Sequence, residues 1–272
     1  MAEPSLSITR NTLFQRVGDY LGFGKGSTAQ SNGGDTTWST YQLAEVTFCV
    51  DSGIRLFYNT PEIHQKHPGG HNWSFKRPKV TFQLLSGKRR IDLPGDFAGL
   101  VGEIHLSVSG QSGYIPVRSY NDMQIDELYA RSPDATGTPQ YVAEEYLKEF
   151  RPSEGQAARL YFYPQADQTY SCKFSYVFNP HALSSTYPYP LGGSEHSQTI
   201  LMACLAFAEQ HKYNSRGINW QMFVEQLLAS IRLDENKRAH RLGYNGNGDS
   251  ERYSEPVNSQ GYTVTFNGTE YD

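Results

Sequence analysis

The hydrophobic period of this chain changes twice, and that change limits the folds open to it more than any single motif does. Between residues 36 and 58 the apolar positions Leu43, Val46, Val50, Ile54 and Phe57 recur at spacings of three and four, the period of one helix face. In KVTFQLLSGKRRIDLPGDF the spacing falls to two. Val80, Phe82 and Leu84 alternate with Thr81 and Gln83, Ser86-Gly87 supplies a turn, and Ile91 and Leu93 continue the alternation. This pattern marks half-buried strands and predicts a β-hairpin. Beyond Pro180 the longer period returns, with Ile200, Leu201, Cys204, Phe207, Ala208 and His211 on one face, then Trp220, Phe223, Val224, Leu227, Leu228 and Ile231 on another. Helix-period and strand-period sequences do not exchange structures, so the chain is expected to be α+β.

The remaining segments fit that frame. A first helix ends near Leu21, capped by Ser5 or Ser7, with Ile8, Leu13, Val17 and Leu21 inward. A Gly/Ser/Thr/Asn linker runs from GFGKGST to Asp35. Further strand-like runs lie at 103–108, 114–117, 141–143, 159–163 and 169–178. A short helix over 121–130 interrupts them, capped by Asn121 with Met123, Ile125 and Leu128 inward. The last helix extends to Arg241, where Gly243 can end it, and carries Lys237, Arg238, His240 and Arg241 against its dipole. Beyond it only YTVTF has strand character. The expected architecture is an α-helical bundle with an inserted, predominantly antiparallel β-sheet unit and an extended C-terminal tail. Its segments are helices over 1–62, a β-rich unit over 63–182, helices over 183–242 and a tail over 243–272.

Composition narrows the function. The 272 residues carry a formal net charge of -4, so no global basic field draws in nucleic acid or an acidic membrane. Apolar residues make up only 38%, but there are 19 Tyr and 14 Phe, a usage suited to half-buried contact surfaces. Cys49, Cys172 and Cys204 are odd in number and widely spaced, which fits neither a disulfide framework nor a zinc motif. With no apolar run long enough for a membrane span and no signal-like N-terminus, the chain reads as a soluble product of a reducing cytoplasm.

Three stretches resemble chemistry. GFGKGST around Lys25 suggests a phosphate loop, but Gly26 follows the lysine, Asp19 stands where the first glycine should, and a helix rather than a strand precedes it. His64, His67 and His71 could offer three imidazoles to zinc, yet Pro68-Gly69-Gly70 separates them, and an exposed loop is the better reading. Ser194-Glu195-His196 contains the side chains of acyl transfer, but neighbours on a helix point about 100° apart and cannot form a relay. As a helix start the same stretch is well made, with Ser194 as cap and Glu195 in the first turn. Carboxylate pairs such as Asp92 with Asp96 have no supporting constellation. The sequence therefore names no catalytic, cofactor or metal residues.

In serial order, KVTFQLLSGKRRIDLPGDF, GTPQYVA, ARLYFYPQADQTYSCKFSYVFNPHALSS and YPYPLGGSEHSQTILMACLAFAE resemble the head-to-tail adaptor (neck connector, head-completion) proteins of tailed bacteriophages. The resemblance spans about 36–241. It implies a non-enzymatic virion protein at the neck, a ring, expected to be a dodecamer, that sits between portal and tail and extends the channel through which DNA passes. It also implies that the C-terminal segment reaches the portal protein. Arg238, Arg241, Tyr262, Val264 and Phe266 are the residues expected at that partner interface. A tail-tube or tail-completion protein is the second reading, and a metal-dependent hydrolase using the histidine loop or Ser194 and His196 the third.

Overall fold

The structure, a computed structural model, describes residues 4–24, 37–63, 70–108, 113–147, 157–238, 264–266 and 269–271. Two compact units divide the chain, Met1–Asn236 and Lys237–Asp272.

Helices begin where side chains can take up the first free amides. Thr9 caps α1 (Arg10–Leu21) through the Thr12 amide, in place of Ser5 or Ser7, and Gly22 ends the helix at φ 91°. Ser39 and Gln42 close a capping box on α2 (Thr40–Tyr58). The apolar face of α2 is Val46, Cys49, Val50, Ile54 and Phe57, all buried, whereas Leu43 is exposed. Helices α4 (Gly193–Tyr213) and α5 (Ile218–Arg238) complete the layer. In place of a regular bundle, α1, α2 and α4 pack closely on one another, and α5 adds Phe223, Leu227 and Ile231 to the same core. The approach of α2 to α4 centres on Gly53, which has no side chain to hold the two backbones apart.

The expected hairpin is not a ladder pair. Strand β1 (Lys79–Leu84) pairs with β9 (Tyr170–Phe178), and β2 (Arg90–Asp92) pairs with β7 (Ala158–Tyr163), both antiparallel. With β3 (Phe97–Ser107), β4 (Ile115–Ser119) and β6 (Tyr141–Tyr146), they form a seven-stranded sheet in the order β1-β9-β3-β4-β6-β7-β2. Neighbours in sequence, β1 and β2 thus occupy opposite ends of the order. The turn between them, with Lys88 donating to the Leu85 carbonyl at 3.0 Å, spans the two edges. Its Gly87 amide donates to the Ala166 carbonyl at 2.8 Å, and its Arg89 carbonyl accepts from the Phe162 amide at 2.8 Å. Because the edges are brought together, the sheet curls almost into a barrel, and one core takes Leu84, Ile91, Leu106, Val117, Val142, Leu160 and Cys172 from all seven strands.

The sheet is also mixed rather than simply antiparallel. Strand β4 runs parallel to β6, with Arg118 opposite Tyr141. A parallel neighbour requires a crossover, which α3 (Asp122–Arg131) provides. Asn121 and Gln124 cap α3, and its Ile125 and Tyr129 cover Ala143 and Tyr161 on the outer face of the sheet. Met123 points away from that face and is exposed. Short β5 (Thr136–Gly137) and β8 (Gln165–Ala166) form a separate parallel pair. In the second unit, β10 (Val264–Phe266) and β11 (Thr269–Tyr271) form an antiparallel hairpin.

Candidate functional site

The serine, glutamate and histidine at the start of α4 occupy successive helical positions, about 100° apart around the axis. The cap is Gly192, at φ 109°, with no side-chain cap hydrogen bond, so Ser194 does not fill the role its sequence position suggests. A β-carbon on Gly192 would be strained at that φ and would stand 3.1 Å from the His196 ring and 3.4 Å from Phe75. His196 is 1% exposed and sits among Phe57, Trp73 and Phe75, with ring centroids 5.3 to 5.9 Å away. The working serine is Ser197. Its hydroxyl accepts from the Ile8 amide at 2.9 Å and donates to the Gly193 carbonyl at 3.0 Å, fastening the chain ahead of α1 to the start of α4.

Of the histidine loop, His64 and His67 lie outside the described residues. His71 is held by Asp234 on α5, its Nε2 standing 2.9 Å from Oδ2. Asp234 is 1% exposed. It also accepts from the Ser74 amide, at 3.1 and 3.2 Å, and from the Ser74 hydroxyl in a short hydrogen bond. Serine, histidine and aspartate therefore meet, but around the carboxylate. In a nucleophilic triad the imidazole stands between the other two; here the Ser74 hydroxyl donates its hydrogen bond directly to Asp234. What results is a clasp binding the segment ahead of β1, including a 3-10 turn at Ser74–Lys76, to α5. Trp73 fills the space beneath, stacked 5.4 Å from Phe75, with its Nε1 donating to the Phe57 carbonyl at 3.2 Å.

A second buried carboxylate anchors the start of α5. Glu209 accepts from the Gly217, Asn219 and Trp220 amides at 3.1 to 3.3 Å, where the free amides of a helix N-terminus favour negative charge. Asp234 could have been found in the sequence, since 227, 231 and 234 keep the helical spacing of the apolar face and place an acid in phase with it. Glu209 is likewise in phase with the buried Met202. Their partners, remote in sequence or in a loop, carry no such signal.

The cysteines are buried and free, and burial raises the thiols of Cys49 to about 11 and Cys172 to about 12, and that of Cys204 as well. They are protonated and inert at neutral pH. The residues expected at a partner interface lie at the end of the chain. Arg238 closes α5, and Val264 and Phe266 lie in β10, whereas Arg241 and Tyr262 lie outside the described residues. Lys25 is outside them too. Among the described residues no group of three or more His, Cys, Asp and Glu is arranged to hold a metal, and no helix is long and apolar enough to cross a membrane.

The family model for the SU10 adaptor protein matches residues 25–258, most of the chain. The chain belongs to that family. SU10 adaptors are a phage head-to-tail adaptor family, so this adaptor is a structural phage protein whose family implies a place at the virion neck and contact with portal and tail proteins. No curated protein matched the adaptor in sequence. In the adaptor, His196 packs within the aromatic core and His71 joins the segment ahead of β1 to α5.

Proposed function

We propose that this chain forms a ring, expected to be a dodecamer, between the portal and the tail of the virion, where it extends the channel for DNA and catalyses nothing. The observation that carries this reading is the family match over residues 25–258. The formal charge of -4 supports it, because a conduit must let phosphates pass without the counterion-releasing grip that lysine-rich surfaces exert. Further support comes from apolar side chains exposed on different elements, Ile218 and Met222 on α5 and Tyr114 and Tyr146 at the sheet. Unlike patches that meet between successive copies make a head-to-tail contact, and such contacts form a ring when the rotation between copies closes.

In this reading the helical segments 1–62 and 183–242 form the body, 63–182 is the β-rich insertion, and 243–272 is the arm that reaches the portal. Arg238, Arg241, Tyr262, Val264 and Phe266 make that contact. An isolated two-stranded hairpin is marginal in water, so β10 and β11 gain by pairing with or packing on a partner. The test is deletion of 243–272 followed by co-sedimentation with portal rings. The shortened protein should remain folded and lose portal binding. Undiminished binding would remove the arm from the account.

A further inference from the structure

Among the described residues, Lys76 is a buried lysine with no ion-paired carboxylate. Lys76 ends the 3-10 turn and is 6% exposed. Its ammonium makes no hydrogen bond or ion pair among the described residues and stands over the face of Tyr58, 5.9 Å from Nζ to the ring centroid. Partial desolvation of the side chain, whose ammonium faces a cavity, lowers its pKa. Lys76 lines a cavity of about 250 Å³ together with Arg55, Asp51, Tyr58, Asn179 and His181. The one carboxylate there, Asp51, already feels Arg55 and Arg10. The lining thus keeps a positive charge in excess.

The cavity continues into a shallow groove on the outer face of α2. Asp51 and Arg55 border both, and Leu43, Ala44, Thr47 and Phe48 line the rest of the groove. Phe48 is 50% exposed and Leu43 38%. From Phe48 to Arg55 is about 10 Å along the helix, a distance that about three residues of extended chain cover.

We propose that this face of α2 docks an extended acidic segment of a partner protein. Its carboxylate enters the Lys76 cavity beside Arg55, and an apolar side chain three residues away covers Phe48 and Leu43. A single carboxylate matches the single excess charge, whereas a phosphate dianion would overfill it beside Asp51. A free anion would leave the apolar groove uncovered. The adaptor reading bears only on which virion protein supplies the segment. The chemistry can be tested on the full-length protein alone, so its failure and that of the adaptor reading are separable.

The experiment is chemical-shift mapping of the isotope-labelled full chain with the capped tetrapeptide Leu-Ser-Ser-Glu, its Gln counterpart, sodium acetate and inorganic phosphate. The Glu peptide should shift Lys76, Arg55 and Phe48 together and bind about tenfold more tightly than the Gln peptide. Lys76→Met and, independently, Arg55→Gln at an exposed position should each remove that preference. Lys76→Met should melt no lower than the parent, because it deletes an uncompensated buried charge. The proposal is overturned by equal binding of the Glu and Gln peptides, by no binding of either, by acetate or phosphate binding as tightly as the peptide without moving Phe48, or by a marked fall in Tm for Lys76→Met.

Discussion

Gly53 of α2 and Cys204 of α4 meet at backbone contact: a methyl on Gly53 would stand 2.7 Å from the Cys204 nitrogen and nearer still to its Cα. Both helices must separate to admit it. Overpacking of this kind costs about 1–3 kcal/mol, more than the ~1 kcal/mol that alanine gains over glycine in a helix. Gly53→Ala should therefore lower Tm by several degrees in thermal unfolding, the reverse of what helix propensity alone predicts.

The carboxylate of Asp234 satisfies His71, the Ser74 amide and the Ser74 hydroxyl together. Asp234→Ala strands several buried donors and should cost about 3 kcal/mol, read from denaturant unfolding. Hydrogen exchange should accelerate first in the segment around Ser74. Asp234→Asn keeps the shape and two acceptor lone pairs and should cost less than the alanine variant.

Glu145 on β6 clamps Arg159 on β7 with two 2.7 Å hydrogen bonds and reaches Arg90 on β2 at 3.2 Å. The Arg159 hydrogen bond leads in holding its carboxyl below the ordinary 4.5, against the opposing effect of burial. A lowered native value means that the clamp contributes fully above pH 4.5 and loses its contribution as pH falls through the depressed native value. Glu145→Gln should thus be less stable than the parent by about 1 kcal/mol at pH 7. The gap should close in acid, measured as Tm against pH; a constant gap would contradict the assignment.

Ser194 and Ser197 separate position from role. Ser197→Ala removes the acceptor for the Ile8 amide and should cost about 1 kcal/mol. Ser194→Ala should change stability by less than about 0.5 kcal/mol, since Gly192 rather than Ser194 caps the helix. Equal losses from the two variants in the same melt would show that Ser194 caps α4 after all.

These residues also show what the sequence could express. The return from period two to period 3.6 after Pro180 is a local signal, and α4 and α5 lie where it places them. The Ser86-Gly87 turn was legible as well, but a turn specifies only its own conformation. The partners of β1 and β2 lie about 70 to 90 residues further along, and the curl that brings the sheet edges together is set by all seven strands at once. The parallel β4 to β6 pair was concealed for a similar reason, because α3 was recognisable as a helix but not as a crossover. At the candidate site, His71 looked like one of three ligands because His64 and His67 are its neighbours in sequence. Its partner Asp234 lies 163 residues away.

The central claim is that this chain is the ring between portal and tail. Electron microscopy of purified virions, resolved well enough to trace the curled seven-stranded sheet, tests it most directly. The account predicts that density for this chain appears as one closed ring against the portal, with the DNA path through its centre. Density for the chain on the distal tail, or its absence from the mature particle, would contradict it.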